Sequence, residues 1–187
     1  MTVLDDLHVG GLKIYRDTQA FAYGTDSVLL SYFAGMRKVS HSCDLCSGTG
    51  IIPLLMSVDS RADFLCVEID GKTAELCEKS VGINGLSDRI KVLNADVSDV
   101  ARLLPYGKFD LVTANPPYFA ENSGATAAGI EPKRLWTVSS KEEKPPYIVL
   151  VEGKKGAMPG LDVRTVVIHD ENGDYSPFIK KIYKKAE

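Results

Sequence analysis

Residues 39–70 read VSHSCDLCSGTGIIPLLMSVDSRADFLCVEID, and their order decides the fold. The run SHSCDLC (40–46) reads as a short strand that enters a glycine-rich turn, SGTG. IIPLLMSVD (51–59) follows the glycines directly and reads as a helix. DFLCVEID (63–70) is a continuous apolar strand that closes on acids. Strand, glycine turn, helix and strand in about thirty residues is the opening unit of a parallel α/β sheet.

The same alternation continues outward. GKTAELCEKSVGINGL (71–86) is a helix closed at Asn84-Gly85, and RIKVLNAD (89–96) is a strand. VSDVARLL (97–104) is a helix, and KFDLVTANPPY (108–118) is a strand ending at a Pro-Pro break. The pattern predicts a Rossmann-like parallel sheet wound on both faces, with ligands outside the carboxyl ends of its strands. On the N-terminal side, GGLKIYRDTQAFAYG (10–24) reads as a strand or hairpin. Thr25-Asp26-Ser27 supply a capping residue for the apolar helix VLLSYFAGM (28–36).

The pattern changes after Tyr118. FAENSGATAAGIEPK (119–133) is small and polar and carries no amphipathic helix of useful length. RLWTVSS (134–140), YIVLVEGKKG (147–156) and VRTVVIHD (163–170) are strand-like, Asn172-Gly173 marks a turn, and PFIKKIYKK (177–185) reads as a short helix. With no crossover helix between them, these strands are expected to pair antiparallel. The whole chain, 1–187, reads as one domain. It has an N-terminal cap segment (1–38), a core (39–118) and an antiparallel C-terminal part (130–187).

Composition supports an ordinary globular protein. The 187 residues are 44% hydrophobic and 25% charged, with a formal charge of −3. No apolar run approaches a membrane span, and the first residues lack the basic and apolar parts of a signal peptide. The reading is a cytoplasmic protein with no membrane partner. From Ile130 onward there are 11 basic and 9 acidic residues, a mild excess of positive charge. Cys43, Cys46, Cys66 and Cys77 lie inside apolar segments. Cys43 and Cys46 form a CxxC without a second ligand pair, so we expect buried thiols and no metal site.

Four constellations carry chemistry. Asp44 with Gly48 and Gly50 sits at a strand-to-helix turn, where backbone can approach a ligand closely. The turn is neither the dinucleotide pattern G-x-G-x-x-G nor a P-loop. An acid at that place suits a cationic amino-acid moiety better than a pyrophosphate. Glu68 lies twenty residues on, where an acid can accept from ribose hydroxyls, with Asp70 as its competitor. Asp96, at the next strand end, can accept from an adenine amine. Asn115-Pro116-Pro117-Tyr118 is the sharpest signal. Two prolines fix the backbone and remove two N–H donors. Carbonyls and the Asn side chain are left as acceptors beside an aromatic face, an arrangement suited to a planar exocyclic NH₂.

These residues resemble the class I S-adenosylmethionine-dependent amino-methyltransferases. The segments DLHVGGLKIYRDTQAFAYGTDSVLL, EPKRLWTV, YIVLVEGKKGAMPGL and DYSPFIKKIY narrow the likeness to the bacterial tRNA adenine-N6 methyltransferases acting on valine tRNA beside the anticodon. The resemblance implies transfer of a methyl group to the N6 amine of an adenosine in tRNA. It implies that Asp44, Gly48 and Gly50 hold the methionine part of the cofactor, Glu68 its ribose and Asp96 its adenine. Tyr23, Gly24, Thr25 and Asp26 would close that pocket. Asn115, Pro116, Pro117 and Tyr118 would receive the target base. Lys133, Arg134, Lys154 and Lys155 would meet RNA phosphates.

Two departures stand out. Cys46 occupies a place where the general pattern often has glycine. The chain also lacks a helix–strand–helix unit after Tyr118, on the order of 40–50 residues by the size of such units, so the fifth strand of the sheet and its flanking helices are expected to be missing. Two alternatives stay open at this point. One is a protein-glutamine methyltransferase, because N-P-P-Y also suits a carboxamide. The other is a noncatalytic cofactor- or RNA-binding remnant.

Overall fold

The computed structural model describes residues 1–19, 23–104, 107–116 and 130–184. Chain contacts divide it into two compact units, Met1–Pro117 and Tyr118–Lys184, where the sequence reading treats 1–187 as one domain. The division falls at the Pro-Pro break. The strands form three separate sheets, two in the first unit and one in the second.

The first unit opens with an antiparallel hairpin, β1 (Thr2–Asp6) and β2 (Lys13–Asp17). Helix α1 (Thr25–Gly35) follows, then β3 (His41–Leu45), α2 (Ile51–Ser57), β4 (Asp63–Glu68), α3 (Gly71–Ile83), β5 (Ile90–Asn94), α4 (Val97–Leu103) and β6 (Leu111–Ala114). Strands β3 to β6 form one parallel sheet in the order β5-β4-β3-β6. The chain steps outward from β3 through β4 to β5, then returns to the other side of β3. That reversal is a topological switch point, and the crevice it opens at the carboxyl ends of β3 and β6 is where such sheets bind ligands. Three successive residues of β3, Ser42, Cys43 and Asp44, are buried, as expected of a strand covered on both faces. Among the described strands none pairs with the outer side of β6, where a fifth strand would lie, and Val112 of β6 is exposed.

The core gathers Ile51, Ile52, Leu54 and Met56 of α2, Phe64 and Cys66 of β4, Cys77 and Val81 of α3, and Ile14 of the hairpin. The hairpin is tied to α3 by polar bonds as well. Asn84 accepts from the Lys13 N–H at 2.9 Å and donates to the Lys13 carbonyl at 2.6 Å, and the Tyr15 N–H donates to Ser80 Oγ at 2.9 Å.

The second unit holds β7 (Ile130–Ser139), β8 (Ile148–Lys155), β9 (Asp162–Val167) and α5 (Pro177–Lys184). Strand β7 starts four residues before the expected RLWTVSS run. It absorbs Pro132 at a register shift, where a residue without an N–H is tolerated. The expectation of antiparallel pairing holds for β7 with β8 and fails for β9, which pairs parallel to β7. The reason is topological: β8 already carries the chain back to the starting end of β7, so β9 can enter on the opposite side without a crossover helix. One face of this sheet packs Trp136 against Phe178 of α5, edge to face at 5.6 Å, with Ile179 and Ile182 buried beside them. The Arg164 guanidinium lies 4.4 Å from the Phe178 ring centre.

Candidate active site

The site grows from the carboxyl end of β3. Asp44 is 1% exposed. Register places it beside Thr113 of β6, whose hydroxyl donates to Asp44 Oδ1 at 2.6 Å. The other oxygen, Oδ2, is buried and has no hydrogen-bond partner. Burial and the nearby Glu68 charge push the Asp44 carboxyl up to about 7, against the Thr113 bond that lowers it. A buried carboxylate with one orphan oxygen can receive a cationic group, because a positive partner would offset its desolvation.

The turn that follows is held in shape by β4. The Ser47 N–H donates to the Val67 carbonyl at 3.1 Å and the Gly48 N–H to Glu68 Oε2 at 2.8 Å. Glu68 Oε1 accepts from the Asp70 N–H at 3.0 Å. Glu68 therefore braces the turn while its remaining lone pairs can accept from hydroxyls. Asp70 instead caps α3, accepting from the Thr73 N–H at 2.8 Å and its hydroxyl at 2.7 Å. Cys46, Gly48 and Gly50 take positive φ values of 55°, 57° and 88°. A Cβ on Gly50 would lie 2.7 Å from Cys77 Sγ, while nothing lies within 4 Å of one on Gly48, so the turn is open on its outer side. Asp96 is the N-cap of α4 and accepts from the Ser98 N–H at 2.7 Å. That bond holds its carboxyl below the usual carboxylate range.

On the neighbouring strand, Asn115 lies two residues beyond Thr113. Its Nδ2 donates to Asp26 Oδ2 at 2.9 Å and to Ser27 Oγ at 3.0 Å. Helix α1 begins at Thr25 with Gly24 as N-cap and no side-chain cap bond. The expected capping role of the Thr25-Asp26-Ser27 cluster is thus replaced, because Asp26 and Ser27 turn to Asn115. Tyr23 is half-buried against the core, and burial raises its phenol. Pro116 is exposed; Pro117 and Tyr118 lie outside the described residues.

The structure thus brings Asp44, Gly48, Gly50, Glu68, Asp96 and Asn115 to consecutive carboxyl ends of one sheet. It adds Thr113 and Ser27, which the sequence reading missed. No sequence signal marks Thr113, since its role follows from strand register. The basic residues sit in the other unit, some already engaged. Arg134 pairs with Glu152, and Lys133 Nζ donates to the Met158 carbonyl at 3.0 Å. Lys154 and Lys155 are exposed at the end of β8. Of the four thiols, three are buried and Cys46 is half-buried. Among the described helices none is long and apolar enough to cross a membrane.

A parallel sheet with its switch point beside an acid–glycine turn, and an asparagine at the adjacent strand end, defines the Rossmann-like class I methyltransferase architecture. A protein described as a predicted O-methyltransferase from Agrobacterium tumefaciens shares it, with a TM-score of 0.72 over 86% of this chain and 96% of that one at 20% identity. The chain belongs to the methyltransferase small domain family, whose model matches residues 19–131. Among its relatives is a tRNA1(Val) (adenine(37)-N6)-methyltransferase of Phocaeicola vulgatus, 32% identical over 109 residues, 58% of this chain and 45% of that protein. One of the same name from Shewanella baltica is 28% identical over 123 residues, 65% of this chain and 48% of that protein. The chain spans about half the length of the curated relatives it matches.

Proposed function

We propose that this chain is an S-adenosylmethionine-dependent N-methyltransferase that acts on the N6 amine of an adenosine in tRNA, in the cytoplasm. The observation that carries the cofactor half is the orphan Oδ2 of Asp44 beside the open glycine turn. It fits a group that carries an ammonium, and Glu68 and Asp96 stand at the next two strand ends to accept from ribose and adenine. Bound there, the cofactor supplies an activated methyl group on a sulfonium.

The chain's own residues do the rest by position. Asp44 Oδ2 would accept from the amino group of the methionine moiety. The Gly48 turn lets backbone lie against it. With both N–H groups of the Asn115 amide given to Asp26 and Ser27, its carbonyl end accepts from an amine. An N6 amine held by that oxygen and the Pro116 carbonyl is drawn out of conjugation with its ring, which exposes the nitrogen lone pair. The positive charge that develops on nitrogen then faces fixed acceptors. Tyr118 would stack on a target base taken out of its helix, as base-modifying enzymes require. Lys133, Lys154 and Lys155 would meet phosphates, while Arg134 is committed to Glu152.

The relatives' names favour tRNA over the glutamine side chain of a protein as acceptor. The test is transfer of labelled methyl to tRNA from cells lacking the modification, with the product nucleoside identified by mass. N6-methyladenosine supports the reading. Binding of S-adenosylhomocysteine without transfer to any tRNA would favour the remnant instead.

A further inference from the structure

We infer that Asp26 is a positioning residue for the methyl acceptor, acting through Asn115. This deepens the proposed function and rests on it. An amide side chain can present either end, and its orientation must be set by its partners. Here the partners leave one choice. A carboxylate only accepts, so the Asn115 end facing Asp26 Oδ2 at 2.9 Å must be the NH₂. The second N–H goes to Ser27 Oγ at 3.0 Å, a hydroxyl that is itself buried. Both donors are then spoken for, and whatever else the amide meets, it meets as an acceptor. Acceptance is the property the N6 amine requires.

The clamp spans 89 residues of sequence and joins the first turn of α1 to the end of β6. Two features of the chain serve it. Asp26 sits in the first turn of a helix, where the helix dipole favours a negative charge. Gly24 makes the room: a Cβ there would stand 2.6 Å from Asp26 Oδ1. The carboxylate also polarises the amide, drawing electron density onto the Asn115 oxygen. Asp26 is thus tied to the acceptor half of the site, where the sequence reading grouped it with the cofactor pocket.

The test compares wild type with Asp26→Asn, Asp26→Glu and Gly24→Ala. In Asp26→Asn the isosteric amide can face Asn115 with either end, so the orientation is no longer imposed. We expect kcat for tRNA methylation to fall about ten- to hundredfold, less than the roughly hundred- to thousandfold lost when a polar group that itself touches the reacting atoms is removed, because Asp26 acts through Asn115. The Kd for S-adenosylhomocysteine should stay within about threefold and the melting temperature should hold. Asp26→Glu should recover part of the rate, and Gly24→Ala should lose rate in the same direction. Independently of turnover, the Asn115 side-chain ¹H–¹⁵N signals of the ligand-free protein should shift in Asp26→Asn. An unchanged kcat in Asp26→Asn with an active wild type would overturn the inference alone. So would a weakened Kd at unchanged kcat, which would return Asp26 to the cofactor pocket. Unmoved Asn115 signals would show that no clamp exists. A wild type that binds S-adenosylhomocysteine and methylates no tRNA would overturn the functional reading, and the positioning role of Asp26 with it.

Discussion

Burial disfavours the charged form of Asp44. Its carboxyl is pushed up to about 7 by burial, against an ordinary value of about 4. The folded chain therefore holds this proton more tightly than the unfolded chain does. Its contribution to stability is greatest below about pH 4, falls as pH rises toward 7, and is lowest above that. Asp44→Asn keeps the acceptor for Thr113 and removes the charge. Thermal melts of the ligand-free pair should show the variant gaining on wild type as pH rises from 5 to 8, by roughly 2–4 °C per kcal/mol relieved. The same variant should lose S-adenosylhomocysteine binding in calorimetry, because the ammonium has no charged partner. A variant that binds as wild type would remove Asp44 from the site. Cys46 makes a smaller point. Its φ of 55° strains a side-chain-bearing residue by about 1–2 kcal/mol, and glycine gives back about 0.5–1 kcal/mol in unfolded-state entropy. Cys46→Gly should stabilise the chain by about 0.5–1 kcal/mol in denaturant melts.

The critical contact between elements is the one between the glycine turn and α3. Gly50 combines a φ of 88° with the close approach of Cys77 Sγ. A methyl group there must displace the side chain of a buried residue of α3 in a packed core. Gly50→Ala should cost about 1–3 kcal/mol from overpacking, with backbone strain added, and should weaken cofactor binding if the turn receives the cofactor as proposed. Adding Cys77→Ala should return part of the stability, while the φ strain remains. A single variant that melts with wild type would show that the Cys77 side chain yields to the methyl group without loss of packing.

On the scale of the molecule, the carboxyl-end acids and glycines and the Asn115 clamp all lie in Met1–Pro117, and Lys133, Arg134, Lys154 and Lys155 lie in Tyr118–Lys184. On the proposed function, the cofactor and RNA contacts would fall in different units. Residues 1–117 expressed alone should bind S-adenosylhomocysteine within about threefold of the whole chain and should lose salt-sensitive tRNA binding. Loss of cofactor binding in a folded 1–117 would show that the second unit completes the pocket. The second sheet also leaves Val149, Val151 and Val163 more than half exposed on the face away from α5. Strand register accounts for this, since Val151 and Val163 both flank Leu135 of β7.

The elements of residues 25–114 were legible because the strands are short and apolar and the helices periodic. The glycine turn and the acids at strand ends were legible because local chemistry demands those residue types there. The tertiary structure alone decided what depends on register and distant contact. Thr113 meets Asp44 because β6 returns beside β3. Asp26 meets Asn115 across 89 residues, so a side chain that reads locally as a helix cap became an orienting partner. Strand β9 runs parallel to β7 because β8 had already reversed the chain. Sequence patterns set which residues can form an element and which chemistry they carry; pairing between distant segments sets which of those groups face each other.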